Sequence, residues 1–586
     1  MQIESFYHSP HTKWAYSYNK DTFHLRVRTK KNDVDQVTAV TGDKYDWANY
    51  HNDYAMKIIA TDRYFDYWAT ELSPAQKRFS YAFQLQSGEE TLWMSEAGIF
   101  EEQPGPPAGY YEMPYMHEID GFKAPEWAKS AVFYQIMPDR FANGNQSIDP
   151  DGVIEWGEQP THDSHFGGDL QGIMDHLDYL TELGITAIYL TPIFEAPSNH
   201  KYDTIDYKKV DPHFGDTALL KKLVEACHAS NVKVVLDAVF NHSSVDFPPF
   251  KDVLAKGENS AFVDWFHIRD FPVEVKEGPL NYATFGFFAS MPKLNTTNPE
   301  VKQYLLDVAE YWLKKVNIDG WRLDVANEID HSFWRDFRKM VKSVNPEAYI
   351  IGEAWSDSLR WLLGDQFDSV MNYPFSERVM AFFQSDQPNG LSFAENMNHI
   401  LMRYPLQTNE VLFNLLGSHD TPRVLTMFNE NKDRLKLAVI FLLTYIGTPC
   451  IFYGDEIGLK GQQDPDCRQC MEWDKAKQDR DLFEFYKQLI QLRNDHDVLR
   501  FGRFSFLRAD AEDGRIIYER KNEQEHFTIW MNHSENTAIL AHPADAEMED
   551  WQDAFSGGSL KPVDGFIRME IEPFGYRILY RSLLET

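Results

Sequence analysis

Four cysteines in 586 residues are too few to staple a chain of this size with disulfides. They stand at 227, 450, 467 and 470, and only Cys467 and Cys470 form a C-x-x-C, in "DCRQC". No second ligand pair is spaced to complete a zinc site, so all four are read as reduced thiols, which fits the cytoplasm. Positive charge is also scarce. Lys and Arg number 57 against 90 Asp and Glu, a net charge of −33, which excludes a nucleic acid or an anionic membrane as partner. No apolar run reaches the roughly 18 residues of a membrane span. The opening "MQIESFYHSPHTKW" has no basic segment followed by an apolar one, so no secretory leader is expected. Low-complexity tracts are missing too, whereas apolar residues, at 43%, suffice for large cores.

The pattern changes twice along the chain. Residues 1–122 read as all-β, with short aromatic and β-branched runs such as "TFHLRVRT", "YFDYWATEL" and "RFSYAFQLQ" between turn clusters. A stretch rich in Pro and Gly, 101–111 and 122–130, links this part to the next. From 123 to 502, eight short apolar runs alternate with amphipathic segments of helical period. The runs are "AVFYQIM", "AIYLTPI", "VKVVLDAV", "IDGWRLDV", "AYIIGEA", "FDSVMN", "VLFNLL" and "PCIFYG". This predicts an α/β fold, a (β/α)8 TIM barrel. One connection, about 240–298, is too long for a simple unit and predicts an inserted subdomain over the barrel mouth. Residues 503–586 return to strands and predict a small C-terminal β-sandwich; residues 1–122 predict an N-terminal one.

Barrel active sites form at the C-terminal ends of the strands. Four runs end in acids: Asp237 in "LDAVFNH", Asp324 in "GWRLD", Glu353 in "IIGEAW" and Asp420 in "NLLGSHD". A single acid after a strand is usually a helix cap. Four, each beside His, Arg or Trp, point to one cluster. Arg322 and Asp324 are two apart, so on a strand they share a face, toward the barrel axis, while Trp321 and Leu323 face the helices. The guanidinium is expected to lower the pKa of Asp324, as a nucleophile requires, and the apolar surroundings of Glu353 to raise its pKa, as a general acid requires. Two carboxylates driven apart in this way fit glycoside hydrolysis, with retention of configuration if they lie about 5–5.5 Å apart.

These motifs resemble the α-amylase family of glycoside hydrolases over essentially the whole chain. "DAVFNH", "GWRLDVANE", "GEAW" and "LLGSHD" are similar to its four signature segments, in order, and "MPKLN" (291–295) to a fifth inside the insert. "VANE", "NHKYDTIDY", "DPDCRQCMEWD" and the extra N-terminal domain resemble the cyclomaltodextrinase, maltogenic amylase and neopullulanase subfamily. The resemblance implies Asp324 as nucleophile, Glu353 as acid and then base, and Asp420 as a ligand of sugar hydroxyls that helps distort the ring. It implies Tyr202, His242, Arg322 and His419 around the −1 sugar, Asp464 and Arg468 at the −2 sugar, and Phe285 and Trp355 as platforms on the leaving-group side. It places Glu328 at a position that shapes the subsites. Ser356 stands where close relatives carry histidine.

The segment "NGNQSID" with "GGD" resembles a calcium loop, with Asn143, Asn145, Asp149, Gly167 and Asp169 as candidate ligands of a structural Ca2+; no organic cofactor is implied. The subfamily likeness further implies a homodimer through the N-terminal domain, acting on cyclodextrins, short maltodextrins and pullulan with some transglycosylation. Competing readings are a glycosyltransferase and a non-catalytic carbohydrate-binding protein on the same fold.

Overall fold

In a computed structural model of the chain, residues 1–584 are described except 277 and 545–549. The middle of the chain closes a parallel sheet from the eight runs. These are β1 (Phe133–Ile136), β2 (Ala187–Leu190), β3 (Lys233–Ala238), β4 (Gly320–Leu323), β5 (Tyr349–Gly352), β6 (Ser369–Val370), β7 (Phe413–Leu415) and β8 (Thr448–Phe452). They pair in the order β6-β5-β4-β3-β2-β1-β8-β7, and a parallel bridge between Met371 and Phe413 joins the two ends. Every strand is the expected one.

Side-chain alternation sorts each strand into two cores. Tyr189, Val235, Tyr349, Ile351, Phe413 and Cys450 pack inside the barrel. Their neighbours Ile188, Val234, Leu236, Trp321, Leu323 and Ile350 face the helical layer. Gly320 is required on β4, because a Cβ there would lie 2.3 Å from the carbonyl oxygen of Tyr349. The helix Pro299–Val316 illustrates the outer layer. Asn298 caps it by accepting the amide of Glu300 at 2.8 Å, Asn317 ends it in a left-handed turn, and Val301, Leu305, Val308 and Trp312 form its buried stripe.

The sequence pattern predicts one oversized connection, after β3. The structure has four, one of them 191–216 after β2, which carries His200 and Tyr202 into the barrel mouth on a short two-stranded hairpin. Residues 240–298 do form an insert, with the helix Pro248–Lys256 and short bridges such as His242–Lys293. The segments 137–169 after β1 and 453–479 after β8 are also long, and both reach the barrel mouth. They are built from turns and single helical turns, so they carry no hydrophobic period to reveal them.

The N-terminal part folds as two antiparallel sheets whose last strand, Tyr111–Met113, pairs back onto Phe79–Ser87. It docks on the outer wall of its own barrel. Arg26 donates to Tyr404 O at 2.8 Å, Asn398 to Thr61 O at 2.9 Å and Gln407 to Ser17 O at 2.9 Å. The C-terminal strands form a six-stranded sheet packed beside a two-stranded one. Buried Arg520 anchors it, donating to Thr444 O and Leu499 O at 2.7 and 2.8 Å. Within the barrel itself, buried Arg493 binds Leu443 O and Gly447 O at 3.0 and 2.7 Å. These guanidinia cap the C-terminus of the helix Lys432–Thr444, where cations are favoured. Among the described residues, no helix is long and apolar enough to cross a membrane.

Candidate active site

The strand ends meet at one guanidinium. Arg322 is fully buried beneath the mouth, with its Nη1 3.0 Å from Asp237 and 2.7 Å from Asp324, and its Nη2 2.9 Å from Glu353. The main chain sets this geometry, since the amide of Asp324 donates to Ala238 O and that of Glu353 to Leu323 O, extending the sheet by one residue. Arg322 and Asp324 share the inner face, as the two-residue period requires.

The expected electrostatics of Asp324 are corrected here. One cation is shared by three buried carboxylates, so burial, with the charges of Glu353 and Asp237, outweighs Arg322 and pushes the Asp324 carboxyl well above its ordinary range. Burial likewise lifts Asp237 to about 6. Asp324 and Asp237 share one cation, so they titrate together and not as independent acids.

Glu353 is aimed by two donors. The amide of Val325 reaches its Oε2 at 2.9 Å, and the indole N–H of Trp355 reaches its Oε1 at 3.1 Å. Val325 has φ +45°, a left-handed conformation rarely adopted by a β-branched residue, and its amide is turned to Glu353 in that strained turn. The Trp355 indole lies parallel to Tyr373 at 3.6 Å and stays half-exposed.

Histidines on the opposite wall are neutral. Gln135 lies 2.6 Å from His419 Nδ1, and with its amide nitrogen donating there, His419 carries its proton on Nε2. That nitrogen is 2.6 Å from the Tyr202 hydroxyl, which donates in turn to Asp237 at 3.1 Å. Burial, with Arg468 and Arg322, holds His419 well below the ordinary imidazole range. His242 donates to Tyr202 O at 3.1 Å, lies parallel to Phe285 at 4.9 Å and is driven by burial to about 3.

A cleft of about 920 Å3 opens over this cluster, lined by Asp324, Glu353, Asp420, Tyr202, His242, Phe285, Trp355, His419, Asp464 and Arg468. Two predicted residues lie off its surface. Arg322 forms the layer beneath the floor, and exposed Glu328 is turned to Lys293, 3.2 Å away, while its neighbour Asn327 lines the cleft. Arg468 lies 3.4 Å from Asp420 and 3.2 Å from Asp464. Sequence reasoning missed Arg140, His162, His165, His200 and Phe288, which also line the cleft. Of these only His200 had a signal, in "NHKYD".

The candidate calcium ligands divide. Asn143 donates to Asp149 at 2.8 Å, and a Cβ on Gly167 would fall 2.6 Å from both side chains, so the three converge. Asn143 Oδ1 is buried without a partner, which suits a small cation. Asn145 and Asp169 are turned elsewhere, because each braces the loop itself. Asn145 accepts from Ser147, and Asp169 accepts the amides of Asn145 and Gly172 at 2.7 and 2.6 Å. Among the described residues, no group of three His, Cys, Asp or Glu side chains is placed to hold a metal.

Three family models match the chain: "Alpha amylase, catalytic domain" over residues 135–502, "Alpha amylase, N-terminal ig-like domain" over 1–117, and "Maltogenic Amylase, C-terminal domain" over 504–578. A cyclomaltodextrinase of Geobacillus thermopakistaniensis (strain MAS1) is 49% identical, covering 99% of each chain. Neopullulanase 2 of Thermoactinomyces vulgaris is 44% identical over 99% of this chain and 100% of its own. A solved cyclomaltodextrinase structure superposes with a TM-score of 0.96 at 48% identity, covering 99% of this chain and 100% of that one.

Proposed function

Because the chain belongs to the α-amylase family of glycoside hydrolases, we propose that it is a retaining hydrolase of α-1,4-glucosidic bonds in cyclodextrins, short maltodextrins and pullulan, with some transglycosylation. The observation that carries the reading is the single guanidinium bridging Asp324 and Glu353. Sharing it keeps the carboxyls close, which suits the separation of about 5–5.5 Å of a retaining pair. Asp420 is less suited to attack, since it is a third exposed and, among the described residues, its carboxylate pairs with Arg468 and His419 at 3.4 and 3.3 Å.

In the first step a carboxylate oxygen of Asp324 attacks the anomeric carbon. Glu353 gives its proton to the departing glycosidic oxygen, and a glycosyl-enzyme forms. Glu353 then takes a proton from water, whose oxygen attacks the same carbon and frees Asp324. A sugar hydroxyl in place of water gives transfer. Asp420 holds hydroxyls of the −1 sugar, Tyr202, His242 and His419 pack around it, and Asp464 and Arg468 meet the −2 sugar. Phe285 and Trp355 offer faces to the leaving sugar, and Glu328 acts through Lys293 at the rim. Asp324→Asn is expected to lower kcat more than about a thousandfold on β-cyclodextrin. Activity within tenfold of the parent would sink the assignment.

A structural Ca2+ would be held by Asn143, Asp149 and Gly167 and would fasten the β1 loop without entering the chemistry. A homodimer is the quaternary reading. The cleft lining begins at Arg140, so its own N-terminal domain supplies none of it, while Phe287 is fully exposed and Phe288 stands on the rim. Four buried free thiols fit the cytoplasm.

A further inference from the structure

The loop after β8 carries Asp464 and Arg468 into the cleft, yet three consecutive carbonyls of that loop are held from behind. Arg423 Nε donates to Cys467 O at 2.7 Å, Arg140 Nη1 to Arg468 O at 2.8 Å, and the Tyr453 hydroxyl to Gln469 O at 2.5 Å. Arg423 stands three residues after Asp420 and, unlike Arg140, is not part of the cleft wall. It is 1% exposed, with its guanidinium 4.0 Å from the Phe452 ring centroid and 4.6 Å from that of Tyr453.

Its other contacts fix the same loop. The main-chain amide of Arg423 donates to Gly461 O at 2.9 Å, and Nη1 donates to Tyr453 O and, at 3.0 Å, to Asp455. One residue thus grips the loop before and after Asp464 and ties it to the end of β8. The reach of Arg468 follows from this grip. Its guanidinium contacts His419 O at 2.9 Å, Asp464 at 3.2 Å and Asp420 at 3.4 Å, and such contacts fail with small main-chain shifts.

We propose that Arg423 is a positioning residue for the donor side of the cleft, holding the main chain at 461 and 467 so that Arg468 and Asp464 meet Asp420 and the −2 sugar. The proposal rests on the reading of Asp464 and Arg468 as −2 contacts.

The test compares kcat/KM for p-nitrophenyl α-maltoside, which fills −2 and −1, with that for p-nitrophenyl α-glucoside, which fills −1 alone. Melting temperature is measured alongside. Arg423→Met is expected to reduce the maltoside-to-glucoside ratio about tenfold, as Asp464→Ala does, with the double variant no worse than the weaker single one. Equal losses on both substrates with a lowered melting temperature would make Arg423 merely structural and overturn the proposal. If Asp464→Ala lowers the ratio and Arg423→Met does not, the positioning role fails while the −2 reading stands. If Asp464→Ala leaves the ratio unchanged, the −2 reading fails and takes the proposal with it. Should Arg423→Met not fold, Tyr453→Phe removes only the hydroxyl on Gln469 O. It is expected to shift the ratio about threefold in the same direction, and no shift overturns the proposal.

Discussion

Glu353 receives one main-chain and one side-chain hydrogen bond, and only the second can be deleted cleanly. Trp355→Phe removes the indole N–H while keeping a ring to stack on Tyr373. A hydrogen bond to a charged group is worth about 1.5–3 kcal/mol, so kcat on β-cyclodextrin is expected to fall about tenfold or more with KM little changed. Steady-state kinetics checks this, and a rise in KM alone would assign Trp355 to sugar stacking only. The same residues mark what the sequence could say. The two-residue spacing of Arg322 and Asp324 made their shared face legible. That Asp237 and Glu353 compete for the same guanidinium depends on register between strands, which one strand's sequence does not carry, so the sign of the Asp324 shift was missed. Arg423 was invisible for a similar reason: its partners are carbonyls, and every residue has one.

At the scale of elements, the eight strands and their helices were legible because burial imposes a period on them. The loops after β1 and β8 were not, because turns impose none. Both loops have testable chemistry. In the first, removing Ca2+ with a chelator is expected to lower the melting temperature by several degrees, and Asn143→Leu to abolish that shift; calorimetry reads both. In the second, Glu456 is buried, accepting from Tyr134 at 2.9 Å, Tyr179 at 2.5 Å and Gly454 N at 3.0 Å, and burial lifts its pKa from 4.5 to about 7. A raised carboxyl contributes stability that is complete below pH 4.5 and is lost as pH rises through about 7. Glu456→Gln lacks this contribution, so its unfolding free energy should fall less than the parent's between about pH 4.5 and pH 7. Equal slopes in urea titrations would refute it.

For the whole molecule, the N-terminal domain faces two ways. One surface is committed to the barrel wall through Arg26, Asn398 and Gln407, while aromatic side chains such as Tyr45 remain 74% exposed. Sedimentation is expected to give about twice the 68.3 kDa chain mass, and the ratio of cyclodextrin to starch hydrolysis should fall on dilution as dimers separate. A monomer at every concentration, with a constant ratio, would remove the dimer reading.

The seam to the C-terminal domain has a different character. Arg520 reaches main-chain carbonyls of the barrel, beside side-chain pairs such as Thr444 with Tyr518 and His496 with Glu525. Where the seam reads backbone it tolerates drift in the residues it meets, whereas these side-chain pairs must be kept together. Residue 502 is therefore a natural crossover point, where C-terminal domains of diverged relatives could be exchanged by recombination, provided the incoming domain brings the counterparts of Arg520, Tyr518 and Glu525.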